Sequence, residues 1–173
     1  SAASGGGILS EDDPIDCGIS GYLSSYVQNC KIRNNTATIG GGGGLYDDGS
    51  DVHVRYCVFS GNEAETGGAI YQLDSGTEIT HCVFFNNLSL APGSLGGGAV
   101  GGFQHNSTTG KYMSYTNCLF YSNHSESWGG AISSSQTYPI IKNCTFAGNS
   151  ADISGGAFHG NVNAEAPKIW NCI

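Results

Sequence analysis

Charge is scarce in this chain: Asp, Glu, Lys and Arg together make up 12% of 173 residues, Met occurs once and Pro four times. Strong helix formers are thin beside 28 Gly and an abundance of Ser, Asn and Thr, a mixture that argues against a helical architecture. Only six Lys and Arg stand against fourteen Asp and Glu, a net charge of −8. Without a basic footprint, nucleic acid and anionic membrane are disfavoured as partners. No run approaches the roughly 18 apolar residues of a membrane span, so the chain is not expected to insert into a membrane. The opening "SAASGGGILSEDDP" has neither the basic nor the apolar region of a signal peptide, and a mature protein or a fragment is expected. Cysteine, by contrast, is plentiful at seven. With so little charge, this points to an oxidising, extracellular setting, secreted or at the cell surface.

A repeat dominates what remains. Cys30, Cys57, Cys82, Cys118, Cys144 and Cys172 are spaced by 27, 25, 36, 26 and 28 residues. Three residues before each stands Val27, Val54, Ile79, Tyr115, Ile141 or Ile169, and two residues after come Ile32, Phe59, Phe84, Phe120 and Phe146. Five after the cysteine is always Asn: Asn35, Asn62, Asn87, Asn123 and Asn149. A Gly pair follows in each unit, then "GLY", "AIY", "AVG", "AIS" or "AFH". From the first Gly of the pair to the next cysteine the count is 15 in three units, 17 in the last and 21 in the unit carrying "GGFQHNSTTGK".

A period of this length signals a solenoid. Apolar residues alternate within "CVF" and "CLF", a period of two and not the helical 3.6. Each repeat is therefore expected to form one turn of a single-stranded right-handed parallel β-helix, stacked on its neighbours at about 4.8 Å. The fold class is all-β, one domain over 1–173, with about five full coils plus partial terminal coils. Residues 1–26 are expected as an irregular partial first coil and 27–173 as the repeats, with loop insertions at 88–96 and 101–111. Stacking turns each column into a ladder: cysteines and phenylalanines inward, asparagines passing amide hydrogen bonds from coil to coil, glycines at tight bends.

The strings "FSGN", "FFNN", "FYSN" and "FAGN", with "GGAI" twice, "GGAV" and "GGAF", resemble the tandem GGA(I/L/V) and FxxN motifs of the polymorphic outer membrane proteins of chlamydia-like bacteria and related β-helix repeats. The likeness runs from about residue 27 to 172, and the first coil departs from it with "IRNN" and "GGGGGLY". It implies an extracellular passenger used in adhesion or surface coating.

Candidate sites fall outside the motif. Cysteines on neighbouring coils are close enough for axial disulfides, such as Cys30 with Cys57, or they act as small buried thiols. Cys17 is the odd one and is free for pairing, including with another chain. Asp47, Asp48 and Asp51 in "YDDGSD" form an oxygen-rich turn that is either a weak Ca²⁺ candidate or an ordinary bend. No other metal or cofactor motif occurs. Four residues before each cysteine, Tyr26, His53, Glu78, Ser114, Ile140 and Lys168 line up, placing His53 beside Glu78 as the one catalytic candidate or as a surface ion pair. Sequons suited to glycans are Asn34, Asn106 and Asn143, whereas those at Asn87 and Asn123 follow from the inward Asn column. Val58, Val83 and Leu119, with Phe85 and Tyr121, form an outward apolar stripe that is either an interface or covered by the 88–96 loop.

Three functions follow. A structural or adhesive extracellular solenoid, self-associating end to end as a fibre subunit because "IWNCI" breaks off within a repeat, is the leading one. A carbohydrate-active β-helix enzyme and a glycan-binding module using the 88–96 and 101–111 loops are its rivals. Expected partners are other copies of the chain and a host or surface glycan or protein.

Overall fold

The computed structural model describes residues 8–10, 26–90, 95–104, 112–161 and 166–173. Throughout these residues the chain is a stack of parallel coils whose strands pair in register with the coil before and the coil after. Four sheets run along the stack. Strands ending two residues before each cysteine (Tyr26–Gln28, His53–Arg55, Glu78–Thr80, Ser114–Thr116, Ile140–Lys142 and Lys168–Trp170) make the first, the pre-cysteine sheet. Lys31–Arg33, Val58–Ser60, Val83–Phe85, Leu119–Tyr121 and Thr145–Ala147 make the Phe sheet. Two-residue strands from Glu63–Ala64 to Ser150–Ala151 make a short third sheet. Leu45–Asp48, Ile70–Leu73, Val100–Phe103, Ile132–Ser135 and Phe158–Asn161 make the GGA sheet, to which Ile8–Ser10 adds a strand beside Leu45–Asp48.

Strands this short survive because each side chain stacks on its equivalent one coil away. Val54, Ile79 and Ile141 fill the interior from the pre-cysteine sheet, Phe59, Phe84 and Phe120 from the Phe sheet, and Leu45, Ile70, Val100 and Ile132 from the GGA sheet, all fully buried. The rings of Phe59, Phe84, Phe120 and Phe146 form one stack with centroids 4.9, 4.8 and 5.1 Å apart and planes within 8°. Burying each contributes about 1.5–3 kcal/mol. The strand spacing itself imposes this ring separation.

The Asn column supplies the polar counterpart. Asn87 Nδ2 donates to Asn123 Oδ1 at 2.9 Å and to the Phe59 carbonyl at 3.1 Å, while Asn87 Oδ1 accepts from Asn62 N and Nδ2, both at 3.0 Å. The same pattern links Asn35 to Asn62 and Asn123 to Asn149. Corner backbone that has no strand partner is satisfied in this way.

The two glycines of each pair do different work. Gly67 has φ +60°, and a Cβ there would collide with the Ile70 carbonyl. Gly68 is excluded from substitution by crowding, since its Cβ would strike the Gly98 carbonyl oxygen in the next coil.

One sequence expectation needs adjusting. The insertions are shorter than 88–96 and 101–111, because Leu88–Ser89 and Val100–Phe103 are strands paired on both sides. Beside the Asn ladder the interior holds a second polar column: Asp47, Gln72 and Ser134 share one inward register position of the GGA sheet and are at most 1% exposed.

Candidate functional site

Alignment four residues before the cysteine holds: Tyr26 pairs with His53, His53 with Glu78, Glu78 with Ser114, Ser114 with Ile140 and Ile140 with Lys168. His53 Nδ1 donates to Glu78 Oε2 at 2.8 Å, Arg55 Nη2 donates to the same oxygen at 3.1 Å, and the Tyr26 ring stacks on His53 at 4.9 Å. The His53 hydrogen bond first, then Arg55, hold Glu78 below the ordinary carboxylate range against the opposing effect of partial burial. A general acid needs the reverse shift. As built, this cluster is a charge-neutralising surface network.

The cysteines Cys57, Cys82, Cys118 and Cys144 are buried, Cys30 and Cys172 half-buried, and all six are free thiols rather than axial disulfides. Each sulfur lies within hydrogen-bonding distance of the carbonyl two residues back, as Cys57 Sγ does to Arg55 O at 3.1 Å. The hydrogen bond with Cys82, then burial, pushes the Cys57 thiol up; Cys144 and Cys82, then burial, do the same for Cys118. Cys17 lies outside the described residues.

The three aspartates separate. Asp47 is fully buried and accepts from Ser50 Oγ at 2.5 Å, Val52 N at 3.3 Å and Thr77 Oγ1, so its carboxylate is committed inward. Asp51 accepts from Gly76 N in the next coil at 2.5 Å. Asp47, Asp48 and Asp51 therefore do not converge on one cation, and among the described residues no group of three or more His, Cys, Asp or Glu is placed to hold a metal ion. The alternation within Leu45–Asp48 causes this, since it turns Asp47 and Asp48 to opposite faces.

Asn34 and Asn143 are exposed, with φ of 55° and 52°, whereas Asn87 and Asn123 are sealed in the core. Asn106 is outside the described residues. Asn143 belongs to an outer corner ladder that the sequence pattern did not disclose: Tyr56 stacks on His81 at 5.0 Å, Asn117 Nδ2 is 3.0 Å from His81 Nε2, and Asn143 Nδ2 donates to Asn117 Oδ1 at 3.2 Å. Val58, Val83 and Leu119 pair in register on the outer face of the Phe sheet, with Phe85 stacked on Tyr121 at 4.9 Å, and all five are half-buried.

The outer face of the GGA sheet is more distinctive. Its middle column runs Tyr46, Tyr71, Gly101, Ser133, His159 across five coils. Tyr46, Tyr71, Thr66, Leu73, Leu95 and Phe103 line one cavity of about 360 Å³. Leu95, Trp128, His159, Gly160 and Ser133 to Ser135 line a second of about 290 Å³. Leu95 borders both, while the outer side of Gly101 between them is filled by Thr66, Gly67 and Gly96. Trp128 stacks on His159 at 5.4 Å. The Tyr71 ring lies against Gly41, and burial, followed by Tyr46, Asp74 and Asp48, pushes its phenol up to about 12. Burial also holds the His159 imidazole below its ordinary range, favouring the neutral ring. Aromatic faces beside hydroxyl and imidazole donors suit a ligand with apolar faces and many hydroxyls. The sequence signal for this column was the third letter of "GLY", "AIY", "AVG", "AIS" and "AFH".

No curated protein and no solved structure matches the chain. A family model described as "Right handed beta helix region" matches residues 17–173. In-register parallel coils from Tyr26 to Trp170, an Asn ladder and a one-domain core agree with that match, and the chain belongs to the right-handed beta helix family.

Proposed function

We propose that this protein is a non-enzymatic, extracellular adhesive β-solenoid that recognises a glycan on the outer face of its GGA sheet. The two aromatic-walled cavities, one at Tyr46 and Tyr71 and the other at Trp128 and His159, are the observation that carries the reading. Its resemblance to the repeats of polymorphic outer membrane proteins supports an adhesive passenger outside the cell, as does the cysteine-rich, charge-poor composition. A general-acid role for Glu78 is disfavoured because His53 and Arg55 lower its pKa and both bond the same oxygen. Self-association belongs to the same proposal: in-register parallel coils give one copy a template for another, and stacked copies would present glycan sites multivalently. Sedimentation velocity over a concentration series tests that part, and a single monomeric species at the highest concentration removes it.

Pull-down on immobilised polysaccharides, with a reducing-end assay on the supernatant, tests the main reading. Binding without new reducing ends is expected, weakened about tenfold or more by Trp128→Ala. Turnover abolished by Glu78→Gln would instead establish the enzyme.

A further inference from the structure

Resting on the extracellular part of that reading, we infer a covalent modification: Asn143 is the acceptor of an N-linked glycan, and the fold denies the same chemistry to Asn87 and Asn123. All three open an Asn-x-Ser/Thr triplet, "NCT", "NLS" and "NHS". The donor is an oligosaccharide carried on a lipid pyrophosphate. Transfer forms a bond between Nδ2 and the sugar C1 and breaks the bond from C1 to the pyrophosphate oxygen. The lipid pyrophosphate leaves, and one Nδ2 proton passes to it. An acceptor amide therefore has to give up one hydrogen and to point where a sugar has room.

Hydrogen bonding separates the three. Asn87 Nδ2 commits both hydrogens, to the Phe59 carbonyl and Asn123 Oδ1, and Asn123 Nδ2 commits both to the Phe84 carbonyl and Asn149 Oδ1. Both side chains are sealed in the core, so a sugar on either would break the Asn ladder and have no space. Asn143 is exposed, and its Nδ2 donates one hydrogen, to Asn117 Oδ1 at 3.2 Å. The other can be exchanged for a sugar while that corner stays closed. Faces alternate from Asn143 through the buried Cys144 to Thr145, which puts the amide and the threonine outside together; Thr145 continues the outer column of Val83 and Leu119. An outer concavity of about 450 Å³, whose lining includes His81, Val83, Asn117 and Leu119 as well as Asn143 and Thr145, gives the first sugar room. Asn29, Asn117 and Asn171 hold the equivalent corner with the same left-handed φ, but Lys31, Leu119 and Ile173 stand two residues on, where Asn143 has Thr145.

Glycopeptide mass spectrometry on the full chain secreted from a eukaryotic host tests the inference, with Asn34→Gln and Asn106→Gln removing two further sequons. The secreted protein is expected to carry sugar at Asn143 and none at Asn87 or Asn123, and Asn143→Gln to lose it. Leu119→Thr completes a triplet at Asn117, whose Nδ2 lies 3.0 Å from His81 Nε2 at the same outer corner. Added to Asn143→Gln, it should restore one glycan, now at Asn117, with circular dichroism melts of all variants as the folding control. Secreted protein that is bare at Asn143, or modified at Asn87 or Asn123, would overturn the inference while leaving the extracellular reading standing. Failure of export even for the variant lacking Asn34, Asn106 and Asn143 would overturn both.

Discussion

Asn87 shows how much one buried amide carries. It holds the Phe59 carbonyl, Asn123 and two donors of Asn62 at once, so Asn87→Leu keeps the volume and strands several polar groups in a dry interior. A loss of about 3–5 kcal/mol is expected by denaturant titration. Asn149→Leu should lose less, because Asn149 is half-buried. Glu78 acts differently, since its pKa is lowered on folding by His53 and Arg55. A depressed carboxylate contributes stability that is complete above its unfolded pKa and lost as pH falls through the folded one. The melting temperatures of wild type and Glu78→Gln should therefore converge at acid pH and separate towards neutrality. The separation should be small, because the Glu78 side chain is 39% exposed and solvent screens the pair.

At the scale of the coil, a glycine is required for one of two reasons, and substitution separates them. Gly68→Ala forces a Cβ into the Gly98 carbonyl and the Leu88 backbone, neither of which can yield without parting two coils. A loss above about 4 kcal/mol, or failure to fold, is expected. Gly61 also has a positive φ, +62°, but Asn34, Asn86 and Ser122 hold the same corner in other coils at 53–55°. Gly61→Asn should therefore stay within about 1 kcal/mol of wild type by thermal melting. A second left-handed bend is also shared by non-Gly residues: Asn29, Tyr56, His81, Asn117, Asn143 and Asn171, each just before a cysteine, have φ of 52–55°. Because Tyr and His interrupt that column, its shared conformation was hidden in the sequence, where only the invariant Asn of the other ladder stood out.

Across the whole molecule, the cysteine column runs the length of the core. Parallel in-register neighbours sit about 4.8 Å apart, wider than the usual Cβ separation of about 3.8 Å in a disulfide, so bridging two coils would mean pinching them together. Native-state alkylation followed by mass spectrometry should leave Cys57, Cys82 and Cys118 unmodified and label Cys30 and Cys172, with the buried thiols reacting only after denaturation. Rapid native labelling of Cys82 would contradict the closed core.

Sequence alone determined the solenoid, its period and its inward columns, because a repeat confined to one dimension makes each coil's partner the residue one period away. The alignment of His53 with Glu78 and the burial of Phe59, Phe84 and Phe120 needed only that counting. What the tertiary structure decided lies where the period is broken or where two faces of a strand differ. It turned Asp47 inward to Thr77 and Val52, brought Leu95 between Tyr71 and Trp128, and gave the varied letters after each GGA motif a shared outer face. Position along the chain predicts which rung a residue occupies, but a cavity forms between rungs, from side chains with no common identity to mark them.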